Sequence, residues 1–103
     1  MFVNVSDLTI GQGDADTFLS RILNEVVPIY SAAQGFIAYY AIKKGNDNAT
    51  TIRVFEDQRS YDAAVQDAAD ATQQIATDLQ VTNTQHTSAD AGVASAFGAI
   101  HVP

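Results

Sequence analysis

Apolar residues recur along the chain at two different spacings, and each spacing predicts a different element. Residues 1–5 combine aromatic and β-branched side chains, which is typical of a strand, and the polar pair Ser6-Asp7 is expected to end it. From Asp14 the apolar positions follow the three- and four-residue spacing of one helical face for about five turns. These positions are Ala15, Phe18, Leu19, Ile22, Val26, Ile29, Tyr30 and Ala33.

The first predicted helix has a signal at each end and one interruption. Asp14 is a suitable N-cap, because its carboxylate can accept from the free amide groups of the first turn. Gly35 lies where a residue of left-handed conformation would end the helix. Pro28 lies inside the pattern and removes a backbone hydrogen bond, so we expect a kink or an early end between Asn24 and Val27.

The second half of the pattern predicts a hairpin, a helix and a final strand. Residues 35–42 carry large side chains on both alternating faces, so we expect a strand covered on two sides and central in its sheet. Residues 43–48 are turn formers, and residues 51–55 resume the strand pattern. A second helix, with one apolar and one acidic face, begins near Asp57. The tail, residues 81–103, is expected to contain one edge strand.

The predicted order of elements is strand, helix, strand, strand, helix, strand. This order indicates an α+β domain of ferredoxin-like type, with an antiparallel sheet and two helices on one of its faces. The other face of the sheet is also apolar, and a chain of 103 residues has no further element to cover it. A second copy could cover it, so we expect one domain over residues 1–103, with its core in residues 1–80, that forms an isologous homodimer.

Composition argues against several classes of function. Twelve acidic and five basic residues give a net charge of −7, so phosphate backbones and anionic membranes are repelled and no nucleic-acid partner is expected. The absence of cysteine removes disulfides, thiolate nucleophiles and cysteine-ligated metals. No segment has the length of a membrane span, and the N-terminus lacks the features of a secretory signal, so a cytoplasmic protein is expected.

Polar and aromatic side chains on the predicted buried elements are candidates for a ligand pocket between sheet and helices, because buried polar groups need partners. A structural alternative is that the tyrosines fill the core and that Arg53 pairs with Glu56 or with an acidic residue of a partner subunit. His86 and His101 fall in the tail and could fold back over the pocket, but their spacing predicts no metal site. The pocket candidates are Asn4, Tyr30, Tyr39, Tyr40, Arg53 and Phe55.

Four short segments in a fixed order carry a family resemblance. They are the opening MFVNV, Val27-Pro28-Ile29-Tyr30 followed by Gly35-Phe36, Ile37-Ala38-Tyr39-Tyr40, and Val54-Phe55-Glu56-Asp57 before an alanine-rich helix with Tyr61, Ala63 and Ala64. In these segments the chain resembles the dimeric α+β barrel proteins of the antibiotic-biosynthesis-monooxygenase-like superfamily, in particular its small stand-alone members of uncharacterised function. The resemblance covers residues 1–80, implies a homodimer whose sheets pack face to face, and accounts for Pro28, since members commonly carry a proline late in the first helix.

The resemblance also implies activities, from which this chain departs in part. Cofactor-free monooxygenases and haem-degrading members rely on an asparagine in the first strand, a tryptophan around the third strand and, for haem, a histidine on the second helix. Asn4 matches the asparagine. The chain has no tryptophan, Phe55 lies in the strand that would hold it, and the second helix has no histidine, so haem degradation is disfavoured and no cofactor is expected.

Three functions therefore remain open. The first is a homodimeric barrel protein that binds a small apolar or aromatic molecule between sheet and helices without catalysis. The second is a cofactor-independent monooxygenase or isomerase that acts on an aromatic or polyketide-like substrate. In this alternative Asn4, a tyrosine and a tail histidine orient the substrate and move a proton. The third is a module that adds a partner strand at the sheet edge. A closed pocket of on the order of 300 Å³ with convergent polar groups favours the enzyme, and a filled core favours a structural dimer.

Overall fold

The computed structural model describes residues 1–90 of the chain, which alternate between strands and helices. A π-helical segment, Ile22–Val26, joins the first two helices. The strands are β1 (Phe2–Ile10), β2 (Phe36–Lys43), β3 (Asn48–Phe55) and β4 (Val81–Asp90). The helices are α1 (Ala15–Arg21), α2 (Val27–Ser31), α3 (Gln58–Asp67) and α4 (Ala69–Asp78).

The four strands form one antiparallel sheet in the order β2-β3-β1-β4, which is the ferredoxin-like order. The helices cover one face of this sheet. Phe2 of β1 and Phe55 of β3 are buried on that face and contact the ring of Tyr61 of α3, with ring centroids 5.1 and 5.8 Å away. The predicted α+β architecture is therefore confirmed, and the core lies between the sheet and the helices.

Strand β1 is longer than the sequence pattern predicted. The expectation that Ser6-Asp7 ends the strand is wrong, because both polar side chains find partners on neighbouring strands. Ser6 is buried and lies opposite His86 of β4, and the Asp7 carboxylate accepts a hydrogen bond of 2.6 Å from the Thr50 hydroxyl of β3. The strand therefore continues to Ile10, which is buried in the core.

Strand β2 lies at the edge of the sheet, so the expectation of a central strand is wrong for this chain. Its side chains are large on both faces, but only one face packs on the helices. On that face, the ring of Phe36 contacts that of Phe55 with centroids 5.6 Å apart. On the other face, Tyr40 and Ile42 are 56% and 43% exposed. The apolar residues on both faces predicted that both faces of the strand would be covered, but the described residues cover only one of them.

The first helical region is interrupted upstream of Pro28, as predicted. Its start is fixed by Asp14, whose carboxylate accepts from the Thr17 amide at 2.8 Å. The helix widens to π geometry at Ile22–Val26, and Pro28 then occupies the first turn of α2, where a proline needs no amide partner. Gly35 adopts a φ of 82° after α2, the left-handed conformation expected of it.

The second helical region is divided into α3 and α4 at Ala68, which is fully buried. Asp57 caps its start by accepting from the Ser60 amide at 2.8 Å. The predicted acidic face is exposed, and one of its carboxylates, Asp78, pairs with Arg21 of α1 at 2.7 Å. This ion pair ties the end of α4 to the first helical region.

The predicted edge strand of the tail is β4, which follows α4 and pairs with β1 along its length. Strand β4 thus pairs with the edge of β1, the edge at which the third alternative function would add a strand from a partner. His101 and the rest of residues 91–103 lie outside the described part of the chain. Among the described residues, no helix is long and apolar enough to cross a membrane.

Candidate functional site

A cavity of about 210 Å³ lies between the sheet and the helices. Its apolar lining comes from both layers of the fold and consists of Leu8, Phe18, Ile22, Ile75, Ala76 and Val81. Its polar lining comes mainly from the strands and consists of Ser6, Tyr39, Thr51, Arg53, Thr72 and Asn83. The volume is smaller than the ~300 Å³ expected of an enzyme pocket for a drug-sized ligand. The core is therefore not filled, as a purely structural dimer would have it, and its cavity is smaller than the pocket expected of an enzyme.

Arg53 supplies the positive charge of this cavity. Its Nε donates to Asn4 Oδ1 at 3.1 Å, its Nη2 donates to the same oxygen, and its Nη1 donates to the Tyr30 hydroxyl at 2.8 Å. The guanidinium carbon lies 5.6 Å from the ring centroid of Tyr30 and 5.2 Å from that of Tyr61, within range of cation–π attraction. The expectation that Arg53 pairs with Glu56 is wrong, because neutral groups of β1 and α2 hold the guanidinium instead.

Asn4 lies behind Arg53 and is fully buried. Its carbonyl oxygen accepts from Arg53 and from the Ser6 hydroxyl, the latter at 3.2 Å. Its amide group donates to the Ser88 hydroxyl at 2.6 Å and lies 3.2 Å from His86 Nε2. These contacts fix the amide, so Asn4 does not line the cavity but positions the side chain that does.

His86 of β4 joins the same polar cluster from the edge of the sheet. Its Nδ1 lies 3.1 Å from the Ser6 hydroxyl, and its Nε2 lies 3.1 Å from the Ser88 hydroxyl. His86 is exposed, whereas Ser6 is buried and lines the cavity. A chain of hydrogen-bonding groups therefore runs from solvent through His86 and Ser6 to the cavity. Of the two tail histidines that could fold back over the pocket, His86 lies beside it, in contact with Ser6.

Tyr39 lines the cavity from β2 and packs edge-on against Tyr30, with ring centroids 5.2 Å apart. Burial raises the pKa of Tyr39 to about 12, an effect that the charge of Arg53 opposes only in part. Like other tyrosine hydroxyls, the Tyr39 hydroxyl is protonated at neutral pH, and it can donate a hydrogen bond to a ligand.

The structure separates the six predicted site residues into four groups. Tyr39 and Arg53 line the cavity, and Asn4 and Tyr30 hold Arg53 from behind. Phe55 is fully buried among aromatic rings and belongs to the core. Tyr40 does not line the cavity. It follows Tyr39 in the strand and therefore points to the opposite face of the sheet, where it is 56% exposed.

Sequence reasoning missed four polar residues that line the cavity, namely Ser6, Thr51, Thr72 and Asn83. Ser6 and Thr51 are opposite each other in the β1–β3 register, on the face that also carries Asn4 and Arg53. The alternation of Thr51 with Arg53 indicated that both residues share this face. Ser6 was not predicted, because β1 was expected to end at Ser6-Asp7. Asn83 could not be found, because the start of β4 was left open. Within residues 1–90, no group of three metal-ligating side chains comes together.

Comparisons with known proteins identify the fold but no close relative. No family model matches the sequence, and no curated protein matches it. Among solved structures, SnoaB, a cofactor-independent oxygenase from Streptomyces nogalater, superimposes with a TM-score of 0.70 at 18% identity over 88% of this chain and 92% of its own. A Deinococcus radiodurans protein named for antibiotic-biosynthesis monooxygenases gives a TM-score of 0.74 at 12% identity over 89% and 93% of the two chains.

A third structure, HapK from Hahella chejuensis, superimposes with a TM-score of 0.70 at 10% identity, over 89% of this chain and 93% of its own. These likenesses extend over nearly the whole described part of the chain, so they concern the complete fold and not a fragment. At such identities they carry information about the fold alone.

Proposed function

Because this fold is that of the antibiotic-biosynthesis-monooxygenase-like α+β barrel proteins, we propose that the chain forms a homodimer and binds a small aromatic molecule between its sheet and helices. The observation that carries the proposal is the cavity of about 210 Å³. Protein interiors are close-packed and leave few spaces larger than a water molecule, so a pocket of this size with an apolar lining and a few polar groups is the natural candidate for a ligand site. Its volume suits a ligand of one or two fused rings rather than a drug-sized molecule.

The lining of the cavity supports an aromatic ligand. The space is lined by Phe18 and Ile22 of the first helical region and by Ile75 of α4, and all three are buried and apolar. Apart from Thr72 of α4, the polar groups lie on the strand side, where Arg53 and Tyr39 are found. An apolar chamber with a few polar groups on one side is the usual form of a small-molecule site, because apolar contacts supply affinity and polar groups fix orientation.

The sheet face away from the helices supports the homodimer. Alternation and register place six large apolar side chains on this face, here called the open face: Val3, Val5, Tyr40, Ile42, Ile52 and Val54. Tyr40 and Ile42 are among the most exposed large hydrophobic residues in the described part of the chain. A contiguous apolar surface on a sheet is costly in water, and a second copy related by a two-fold axis would cover it with the same surface.

Filling the cavity is expected to abolish ligand binding. Ala76 of α4 lines the cavity, so Ala76→Phe would place a ring in the space proposed for the ligand. Ala63→Phe puts the same ring on the exposed side of α3 and is the matched control. In a calorimetric titration with 2-naphthol, we expect Ala76→Phe to weaken binding by about tenfold or more and Ala63→Phe to leave it unchanged. Equal affinity in both variants would contradict the cavity as the binding site.

A second candidate function is catalysis of isomerase or monooxygenase type, and the position of His86 favours it. Both reaction types can begin with removal of a proton from a carbon atom of the substrate. The exposed His86 imidazole touches the Ser6 hydroxyl, which lines the cavity, so the pair could carry that proton to solvent. Tyr39 and Arg53 would then stabilise the enolate oxygen by donating hydrogen bonds.

Exchange of substrate protons with solvent measures that first step directly. The enolisable ketone 2-tetralone in D2O, followed by NMR, is expected to lose its α-protons faster in the presence of the protein. Removal of a general base typically costs 10²–10⁴-fold, so His86→Gln is expected to slow the exchange by about a hundredfold or more. Exchange at the protein-free rate in the wild type, or at the wild-type rate in His86→Gln, would reject this candidate.

A further inference from the structure

Among residues 1–90, the charge of Arg53 has no acidic counterpart. Its hydrogen-bond acceptors are the Asn4 amide oxygen and the Tyr30 hydroxyl, both of which are neutral. The ion pairs formed within residues 1–90 involve Arg21 and Lys43. No aspartate or glutamate of the described chain lines the cavity. The cavity thus contains a cation with neutral partners, in a protein whose net charge is −7.

Such an arrangement is poor for stability and favourable for an anionic ligand. Arg53 is half-buried, so its guanidinium loses part of its solvation, and neutral acceptors replace that part incompletely. The group has five N–H donors, and two neighbouring acceptors do not use all of them. A carboxylate is the complement of this group, because two of its oxygens can accept parallel hydrogen bonds from one guanidinium.

Two further donors line the same cavity. Thr51 is only 3% exposed, and Tyr39 also lines the space. Within residues 1–90, neither hydroxyl has a hydrogen-bond partner, although buried hydroxyls are usually paired. Thr51 lies opposite Ser6 in the sheet, and Tyr39 lies opposite Arg53. The strand side of the cavity therefore presents one cation and a set of hydroxyls, and a ligand with acceptor oxygens would satisfy them together.

We propose that the ligand is a small aromatic carboxylate, with its carboxylate bound by Arg53 and its ring among Ile22, Ile75 and Ala76. The inference rests on the proposed function and adds the charge of the ligand to it. Tyr39 and Thr51 donate to the carboxylate oxygens, and Asn4 holds Arg53 in position from behind. The apolar lining selects for the ring, and the guanidinium selects for the anion over a neutral molecule of the same shape.

The test compares 2-naphthoate with its neutral methyl ester in calorimetric titrations of the full-length protein. We expect the wild type to bind 2-naphthoate about tenfold or more tightly than the ester, the range typical of a charge-assisted hydrogen bond. Arg53→Met is expected to remove this preference by weakening binding of the acid alone. Arg59→Met removes the same charge from an exposed position on α3 and is expected to preserve the preference.

Each result has one meaning. Equal affinity of the wild type for acid and ester would overturn the assignment of an anion while leaving the cavity as an aromatic site. Binding of neither compound would count against the proposed function itself. If Arg53→Met does not fold, Arg53→Lys keeps the charge without the planar fork and is expected to retain part of the preference. A full preference in a folded Arg53→Met would assign selectivity to another group and overturn the inference.

Discussion

Substitution of Tyr40 by aspartate is expected to convert the proposed dimer into a monomer. Tyr40 lies on the open face and is 56% exposed, so the substitution removes apolar area without disturbing the core of the subunit. In a two-fold interface each change occurs twice, and the two carboxylates would be buried against apolar surface. Costs of several kcal/mol correspond to a dissociation constant raised by about a hundredfold or more.

Native mass spectrometry and sedimentation velocity measure this change. The wild type should show twice the subunit mass of 11.0 kDa, and Tyr40→Asp should show the subunit mass alone. Leu23→Asp is the matched control, because Leu23 is 65% exposed on the helical side of the molecule. A dimer that persists in Tyr40→Asp but dissociates in Leu23→Asp would place the interface on the helices and contradict the open face as the contact surface.

Truncation of Phe55 is expected to produce the largest loss of stability. Its side chain is fully buried, and its ring contacts those of Tyr30, Phe36 and Tyr61 edge-on, with centroids 5.6 to 6.0 Å apart. Phe55→Ala would remove these contacts and leave a void between the sheet and the helices. Large-to-small substitutions of this kind cost about 3–5 kcal/mol, and denaturation in urea would record the loss in the free energy of unfolding.

A conservative variant separates the structural role of Phe55 from a role in binding. Phe55→Leu keeps most of the apolar volume, so we expect a smaller loss of stability than in Phe55→Ala. Because Phe55 does not line the cavity, affinity for 2-naphthol should remain at the wild-type level in Phe55→Leu. A marked loss of affinity in a stable Phe55→Leu would show that Phe55 takes part in binding, as the sequence analysis predicted.

The fold was predictable because the local signals agree with one another. Asp14 and Asp57 cap the helices that they precede, and Gly35 has the left-handed conformation that its position after a helix indicated. The two errors, the early end of β1 and the central position of β2, share a cause. Both were judged from one strand at a time, whereas the partners of Ser6 and the exposure of Tyr40 depend on neighbouring strands.

The site was predictable only in part, because it depends on register. Asn4 and Arg53 were found as polar residues on covered strands, but their direct contact follows from the pairing of β1 with β3. The approach of His86 follows likewise from the pairing of β1 with β4, which no local pattern in a polar, threonine-rich segment reveals. Local chemistry thus indicated which residues matter, and long-range pairing determined which of them meet.

The measurement that tests the central claim most directly is the location of a bound aromatic ligand by NMR. Intermolecular nuclear Overhauser effects from 2-naphthol protons are expected to the methyl groups of Leu8, Ile22 and Ile75, which line the cavity between sheet and helices. Methyl groups of the open face, such as those of Val5 and Ile52, should give none. Effects confined to the open face would show that aromatic molecules bind to exposed apolar surface, and the claim that the cavity is the functional site would be wrong.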